Sequence, residues 1–425
     1  MTKSLLAVAL GAILLCTSAL DYCQAPLPKY SAPSSGLKLR QVAVFSRHGD
    51  RSPLHVLPKE HSESGVEWKC DQHIFYGTNV SADGDVALSY SSYMSLNNIW
   101  SSRVKAWRGN CFPGQLTKEG AAMTYELGKA LREIYVNQFK LLPETLDPST
   151  VYFRATGVPR AQQSLFSILQ GLYPASTRRN GAAVPFHVMA DDYDTMVPNS
   201  AACPRITSLL SKAKEQSGYV KELKKASSFV EKAISITGAT GTLNNVKAVT
   251  AWMDILYSRI CHNFPLPCKD SKCVTKNDAA VIGEVGTYII NHEYDVNASG
   301  SGYEPARLTA GPLLNELLEF QEKMVNGDAS APRYLHFSGH DTTLVPIMAA
   351  LQSHFPSYAP YASHIIFELY ESESNSGNFY IRALYNNKAL VIPECWNTLC
   401  PFKTYKNLIN SHLTIKDVSK ECTAK

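Results

Sequence analysis

The densest chemistry in the chain is the stretch Arg47-His48-Gly49-Asp50-Arg51-Ser52-Pro53, which follows directly on the apolar run Val42 to Phe45. That run has the length and the β-branched and aromatic composition of a buried strand, and Leu37 and Leu39 extend it by alternation. The polar cluster then falls at the carboxyl end of the strand, where open α/β sheets hold their ligands. Arg47 and Arg51 offer planar forks that match phosphate oxygens. His48 between them can act as nucleophile or base. Gly49 lets the backbone turn or come close to a ligand, and Pro53 stops the strand.

Two further clusters end candidate strands. Arg154 follows Val151-Tyr152-Phe153, and His340-Asp341 follows Tyr334 to Ser338. In a parallel sheet such ends converge on one crevice. The combined set is three arginines, two histidines and a carboxyl group, which suits a phosphomonoester dianion: guanidinium forks hold the non-bridging oxygens and stabilise charge in the transition state. His48 is the expected nucleophile, with one ring nitrogen neutral and the other held by an acceptor, and with nearby arginines disfavouring its imidazolium form. Asp341 is the expected general acid, kept protonated by desolvation. Arg160, in the first turn of a helix, reads as structural, and His187 and His336, inside strands, read as packed. A phosphate-binding protein without turnover and a mutase are the rival readings. His48 and Asp341 together argue against the first, because binding alone does not need both.

The elements that must position these groups alternate. Thr117 is a good N-cap, and Leu127, Leu131, Ile134 and Tyr135 form one apolar helical face behind it. Val151 to Phe153 reads as a strand. Pro159 then opens a helix with Leu165, Ile168, Leu169 and Leu172 on one side, ended by Pro174. Strand then helix, twice, predicts parallel βα units. Phe186 to Met189 is a third strand. From Cys203 to about residue 322 the chain reads as helical, with runs near 205–233, 244–262, 277–292 and 304–326. Tyr334 to Ser338 resumes the strand pattern before a helix over 343–351. Ile365 to Tyr370 and Phe379 to Leu384 then form an antiparallel pair at the sheet end. Residues 54–113 are irregular and follow the catalytic turn, so they are expected to wall the site. The fold class is therefore α/β, a three-layer arrangement with a mostly parallel central sheet. Its core covers about 37–190 and 304–390, and a mainly helical cap covers about 191–303, all within one domain, 20–425.

Composition narrows the class. A net charge of +4 over 425 residues argues against a nucleic-acid partner. Lys3, the apolar stretch Leu5 to Cys16 and the small residues Thr17-Ser18-Ala19 read as a signal peptide over 1–19. An uncleaved anchor in the Golgi membrane is the alternative. No later stretch is apolar enough to span a bilayer. Of 11 cysteines, ten lie beyond Cys16, an even count that suggests a disulfide framework in an oxidising compartment. That compartment also argues against a cytosolic mutase. Cys395 and Cys400 are expected to pair across their short loop. No paired C-x-x-C is present, and neither a metal nor another cofactor is expected. Asn79 and Asn297 head glycosylation triplets.

The pattern R-H-G-x-R-x-P over Arg47 to Pro53 resembles the signature of the histidine acid phosphatases. Gly114-Gln115-Leu116-Thr117 resembles that family's helix start. Arg154-Ala155-Thr156 resembles its R-S-T turn, with alanine in place of the usual serine. Asp192 through Pro198 to Cys203-Pro204 resembles its passage into the helical part, and Gly339-His340-Asp341-Thr342 its H-D motif. The resemblance covers nearly all of the mature chain. It implies the histidine phosphatase / phosphoglycerate mutase-like fold and a phosphohistidine on His48. It also implies phosphate binding by Arg47, Arg51, Arg154 and His340, and proton donation by Asp341. The expected activity is that of a secreted or lysosomal acid phosphatase, possible as a homodimer, and H-D rather than H-A-E points away from phytases. Lys140-Leu141-Leu142-Pro143, Cys261-His262-Asn263 with Pro267-Cys268 and Cys273, and Cys400-Pro401 are similar to the 2-phosphoxylose phosphatase-like branch, which implies a phosphosugar substrate as the alternative.

Overall fold

The computed structural model describes residues 22–29, 33, 35–58, 60, 65–70, 73–76, 90–93, 107–178, 184–296 and 302–423. The expected signal peptide and both glycosylation triplets' asparagines, Asn79 and Asn297, lie outside the described residues.

An eight-stranded sheet organises the chain. Its strands are β1 (Leu37–Arg47), β2 (Val151–Ala155), β3 (Phe186–Val188), β4 (Tyr334–Gly339), β5 (His364–Ser372), β6 (Phe379–Tyr385), β7 (Lys388–Leu390) and β8 (Leu399–Pro401). The order is β7-β6-β5-β1-β4-β2-β3, with β8 also pairing β6. β1, β4, β2 and β3 are mutually parallel, and β5 turns the sheet antiparallel on the other side of β1. The predicted antiparallel pair is β5 and β6.

Period-two alternation gives each strand two apolar faces, and each face has its own layer of helices. Ala43, Phe45, Leu335, Phe337, Ile365 and Phe367 pack on one side with Leu313, Leu314 and Leu317 of α7 (Glu304–Val325) and with Val345 and Met348 of α8 (Asp341–Ala350). Val42, Val44, Val151 and Phe153 pack on the other with Leu127 and Leu131 of α1 (Lys118–Arg132) and with Leu165, Ile168 and Leu172 of α2 (Pro159–Leu172). The three-layer expectation is met, and the apolar helical faces read from the sequence are those buried. Thr117 caps α1 by accepting a hydrogen bond from the Gly120 amide at 3.0 Å.

The cap contains α3 (Arg205–Glu215), α4 (Ser217–Thr237), α5 (Val249–Cys261) and α6 (Lys276–Tyr294). The first predicted run, 205–233, is two helices, because the backbone of Gln216 is extended and it starts α4 as its N-cap. A short hairpin with two-residue strands, Cys268–Lys269 and Lys272–Cys273, lies between two of the expected helical runs, where no strand was expected. The cap has its own core around Trp252, Ile255, Leu256 and Ile282, which also takes in Tyr22 and Tyr361.

The ten cysteines form five bridges: Cys23–Cys261, Cys70–Cys111, Cys203–Cys422, Cys268–Cys273 and the expected Cys395–Cys400. Among the described residues no helix is long and apolar enough to cross a membrane.

Candidate active site

The parallel register brings the strand ends together. Arg47 of β1 lies opposite Gly339 of β4, and Ser338 of β4 lies opposite Ala155 of β2. The His48 amide continues the ladder to the Gly339 carbonyl at 2.9 Å, and the Thr156 amide to the Ser338 carbonyl at 3.2 Å. His48, His340 and Thr156 therefore stand side by side at the carboxyl edge. His48 and His340 border a cavity of about 320 Å³ that is also lined by Arg47, Arg51, Arg160, Asp254 and Asp341. A larger cleft of about 600 Å³ lies at the opposite end of β1, around Leu37 to Arg40 and Arg333, and holds no histidine or cysteine.

His48 is buried. Its Nδ1 lies 2.7 Å from the Gly49 carbonyl oxygen. A carbonyl only accepts, so Nδ1 carries the proton and Nε2 keeps its lone pair. Burial, then the charges of Arg160, Arg47 and Arg51, hold the imidazole pKa well below its ordinary value. The ring thus stays neutral in acid. His340 sits with its ring centre 5.5 Å from that of His48 and its Nε2 2.9 Å from the Thr156 hydroxyl. Burial and Arg160 push its pKa down to about 3.

Three guanidinium groups face this cavity. Arg51 pairs with Asp254 of α5 at 2.8 Å. Arg47 Nη2 lies 3.2 Å from Asp341 Oδ2. Arg160, in the first turn of α2, has no carboxylate within ion-pair distance among the described residues, and its guanidinium donates to the Gly114 carbonyl at 3.4 Å. Burial and the repulsion of Arg51 pull its pKa down to about 10. A half-buried cation crowded by another cation calls for an anion.

Asp341 is held at the N-terminus of α8, with its Oδ1 accepting from the Thr342 amide at 2.8 Å and its Oδ2 from the Tyr358 hydroxyl at 3.3 Å. The sequence expectation was a carboxyl group kept protonated by desolvation. Burial does raise its pKa, but Arg47, Arg51 and His340 outweigh burial and leave it below the ordinary carboxylate value. This arrangement favours the carboxylate form of Asp341.

Arg154 does not join the cavity. It lies inside β2, not at its end, and its side chain points to the α7 face of the sheet. There it pairs with Asp194 at 2.8 Å and with Glu316 of α7. Ala155 is fully buried in the opposite helical layer, so a serine missing at that position removes no phosphate contact. The basic group that does reach the crevice is Arg160, read from the sequence as structural. Its signal was there: an arginine one residue past an N-terminal proline of a helix that starts at a sheet's carboxyl edge, where anions bind. His187 and His336 lie in strands as expected. His336 is fully buried between Ser46 and Tyr334.

Gly49 has a role other than close approach to a ligand. A Cβ there would lie 2.1 Å from the Gly120 carbonyl oxygen, and a Cβ on Gly120 would lie 2.1 Å from the Asp50 carbonyl oxygen. The glycine pair lets the turn after β1 rest directly on the first turn of α1. Asp50 completes that contact: its Oδ2 accepts from the Thr117 hydroxyl at 2.5 Å and lies 2.6 Å from His262 Nε2. Leu54 and His55 line the cavity, so the start of the 54–113 segment walls the site as expected.

The chain is similar to known proteins along most of its length. Counting factor 60 of Dictyostelium discoideum is 28% identical over 395 residues, covering 90% of this chain and 88% of that protein. The lysosomal acid phosphatase of Homo sapiens is 26% identical over 405 residues, covering 92% and 81%. The 2-phosphoxylose phosphatase 1 of Xenopus tropicalis is 24% identical over 420 residues, covering 92% and 79%. Among solved structures, the Hafnia alvei phytase in complex with myo-inositol hexakis sulphate superposes with a TM-score of 0.60 at 15% identity, over 92% of this chain and 100% of that one, which shows a shared fold. The family model for the histidine phosphatase superfamily, branch 2, matches residues 38–386, and the chain belongs to that family.

Proposed function

We propose that this chain is a secreted or lumenal acid phosphatase that hydrolyses phosphate monoesters through a phosphohistidine on His48. The observation that carries the proposal is the convergence of Arg47, Arg51 and Arg160 on a neutral histidine with a free Nε2 lone pair. In this reading Arg47, Arg51, Arg160 and His340 hold the phosphoryl oxygens. Arg154 is a structural residue.

Charge balance assigns the proton. Arg47, Arg51 and Arg160 bring three positive charges, and Asp254 and a bound phosphate dianion bring three negative ones. Asp341 is then the surplus charge, and it is neutral once it takes a proton. Below the second phosphate pKa of about 6, the substrate arrives as a monoanion and carries that proton itself. Asp341 accepts it in the complex.

The steps follow. Nε2 of His48 attacks phosphorus as the ester P–O bond breaks, and Asp341 gives its proton to the leaving alkoxide. Water then attacks the phosphohistidine, the Asp341 carboxylate takes a proton from it, and inorganic phosphate leaves with His48 restored. The relatives' names cover different phosphatases at similar identity, so the proposal is drawn at the level of the phosphomonoester; a phosphosugar such as 2-phosphoxylose falls within it. Five disulfides support an oxidising lumen or the exterior as the working compartment.

The test is hydrolysis of p-nitrophenyl phosphate between pH 4 and 6. Turnover by the wild type and none by His48→Ala supports the reading. An inactive wild type, or an active His48→Ala, removes it.

A further inference from the structure

The lead-in before β1 carries an unassigned active-site side chain. Residues 22–29 precede the first strand and have no regular secondary structure, yet Tyr22 is only 2% exposed and borders the catalytic cavity. Arg47 Nη2 donates a hydrogen bond to the Tyr22 hydroxyl at 3.0 Å. The guanidinium carbon lies 5.2 Å from the Tyr22 ring centre, 4.4 Å from that of Tyr361 and 5.8 Å from that of Tyr358. With Nη1 donating to the Ala359 carbonyl, the guanidinium is boxed on every side but the cavity.

Tyr22 is itself clamped. Its carbonyl accepts from the Tyr361 amide at 3.2 Å, and the Ala25 amide donates to the Tyr361 carbonyl at 2.8 Å. Its ring packs 4.9 Å from that of Tyr257 on α5. Next to it, Cys23 is bonded to Cys261, the last residue of the same helix. α5 also carries Asp254, the partner of Arg51, and leads into His262, the partner of Asp50. One cap helix therefore reaches three residues of the catalytic turn: Arg51 and Asp50 directly, and Arg47 through the bridged lead-in.

We propose that Tyr22 is a positioning residue for phosphate capture, fixed over Arg47 by the Cys23–Cys261 bridge. The inference rests on the phosphatase reading for its purpose. A hydrogen bond to a charged group is worth more than a neutral one, and a preset guanidinium loses less freedom when the anion binds. The bridge ties a segment without regular secondary structure to α5 beside Arg47, so bridge and tyrosine should act as one unit.

The experiment measures inorganic phosphate affinity by titration calorimetry at pH 5, which needs no turnover. Tyr22→Phe keeps the ring and removes the acceptor, and should weaken phosphate binding by about 10-fold with the melting temperature unchanged. In an Arg47→Ala background the same change should have no further effect. Cys23→Ser/Cys261→Ser should weaken phosphate binding as much as Tyr22→Phe does, and adding Tyr22→Phe to it should cost little more. Wild-type affinity in Tyr22→Phe, or an undiminished loss in the Arg47→Ala background, overturns the proposal. Hydrolysis of p-nitrophenyl phosphate by the wild type is read in parallel. An inactive wild type removes the phosphatase reading, whereas an active one with an unaffected Tyr22→Phe removes only the positioning role.

Discussion

The Asp341 carboxylate lies 3.2 Å from Arg47 and accepts a hydrogen bond from Tyr358, so the group proposed to give a proton is ionised before substrate arrives. Its role as an acid depends on the dianion that displaces its hold on Arg47. A general acid matters in proportion to how poor the leaving group is. Asp341→Asn should lower the rate of phosphoryl transfer from alkyl phosphates by about 10²–10⁴-fold. The loss on p-nitrophenyl phosphate should be smaller, because nitrophenolate leaves without a proton. Single-turnover rates of the first step are the measurement, since Asp341 is also proposed to assist water in the second. Equal losses for both leaving groups would make Asp341 a positioning group instead.

Arg154 and Arg160 should separate cleanly. Arg160→Ala removes a donor proposed to hold the transferred group and should cut kcat/KM by about 10²–10³-fold, with the melting temperature held. Arg154→Met breaks a buried pair with Asp194 and leaves its carboxylate without that counter-charge, a loss of about 3–5 kcal/mol of stability. The kcat/KM of its folded fraction should stay near the wild-type value. Urea unfolding and steady-state kinetics on both variants check this, and the reverse pattern would restore Arg154 to the site.

How much of this was legible differs residue by residue. β1 and its turn were readable because an apolar run broke into arginines and a histidine at one point. His340-Asp341 was readable for the same reason on β4. Arg154 misled because a strand two residues longer than the expected Val151 to Phe153 turns an expected edge residue into a face residue. Arg160 was hidden because helix phase within a first turn decides whether a side chain enters a crevice. Tyr22 was beyond reach: it meets Arg47 beside a bridge between cysteines 238 positions apart. Cys395–Cys400, closing a short loop, needed only local spacing.

His262 should make stability pH-dependent. Burial lowers its pKa, but the hydrogen bond and charge of Asp50 outweigh burial and raise it above 6.5. A raised pKa contributes stability that is full below the unfolded value of about 6.5 and is lost as pH rises through the folded value. The wild type should therefore exceed His262→Gln in unfolding free energy most at pH 5–6, and the gap should narrow toward pH 8. Urea unfolding at each pH is the check, and a gap that widens with pH would contradict the pairing.

Activity should survive prolonged chelation, because the three arginines supply the positive charge that a metal would otherwise bring. Loss of turnover after EDTA, restored by a divalent cation, would contradict this mechanism.

The most direct measurement is the covalent intermediate itself. The enzyme is mixed with a ³²P-labelled monoester for milliseconds, quenched into denaturing base, in which a phosphohistidine survives, and mapped by peptide. The expected result is label on His48 in the wild type, its accumulation in a variant slowed at the water step, and none in His48→Ala. Label on a serine or cysteine, or rapid turnover with no label on His48, would contradict the account.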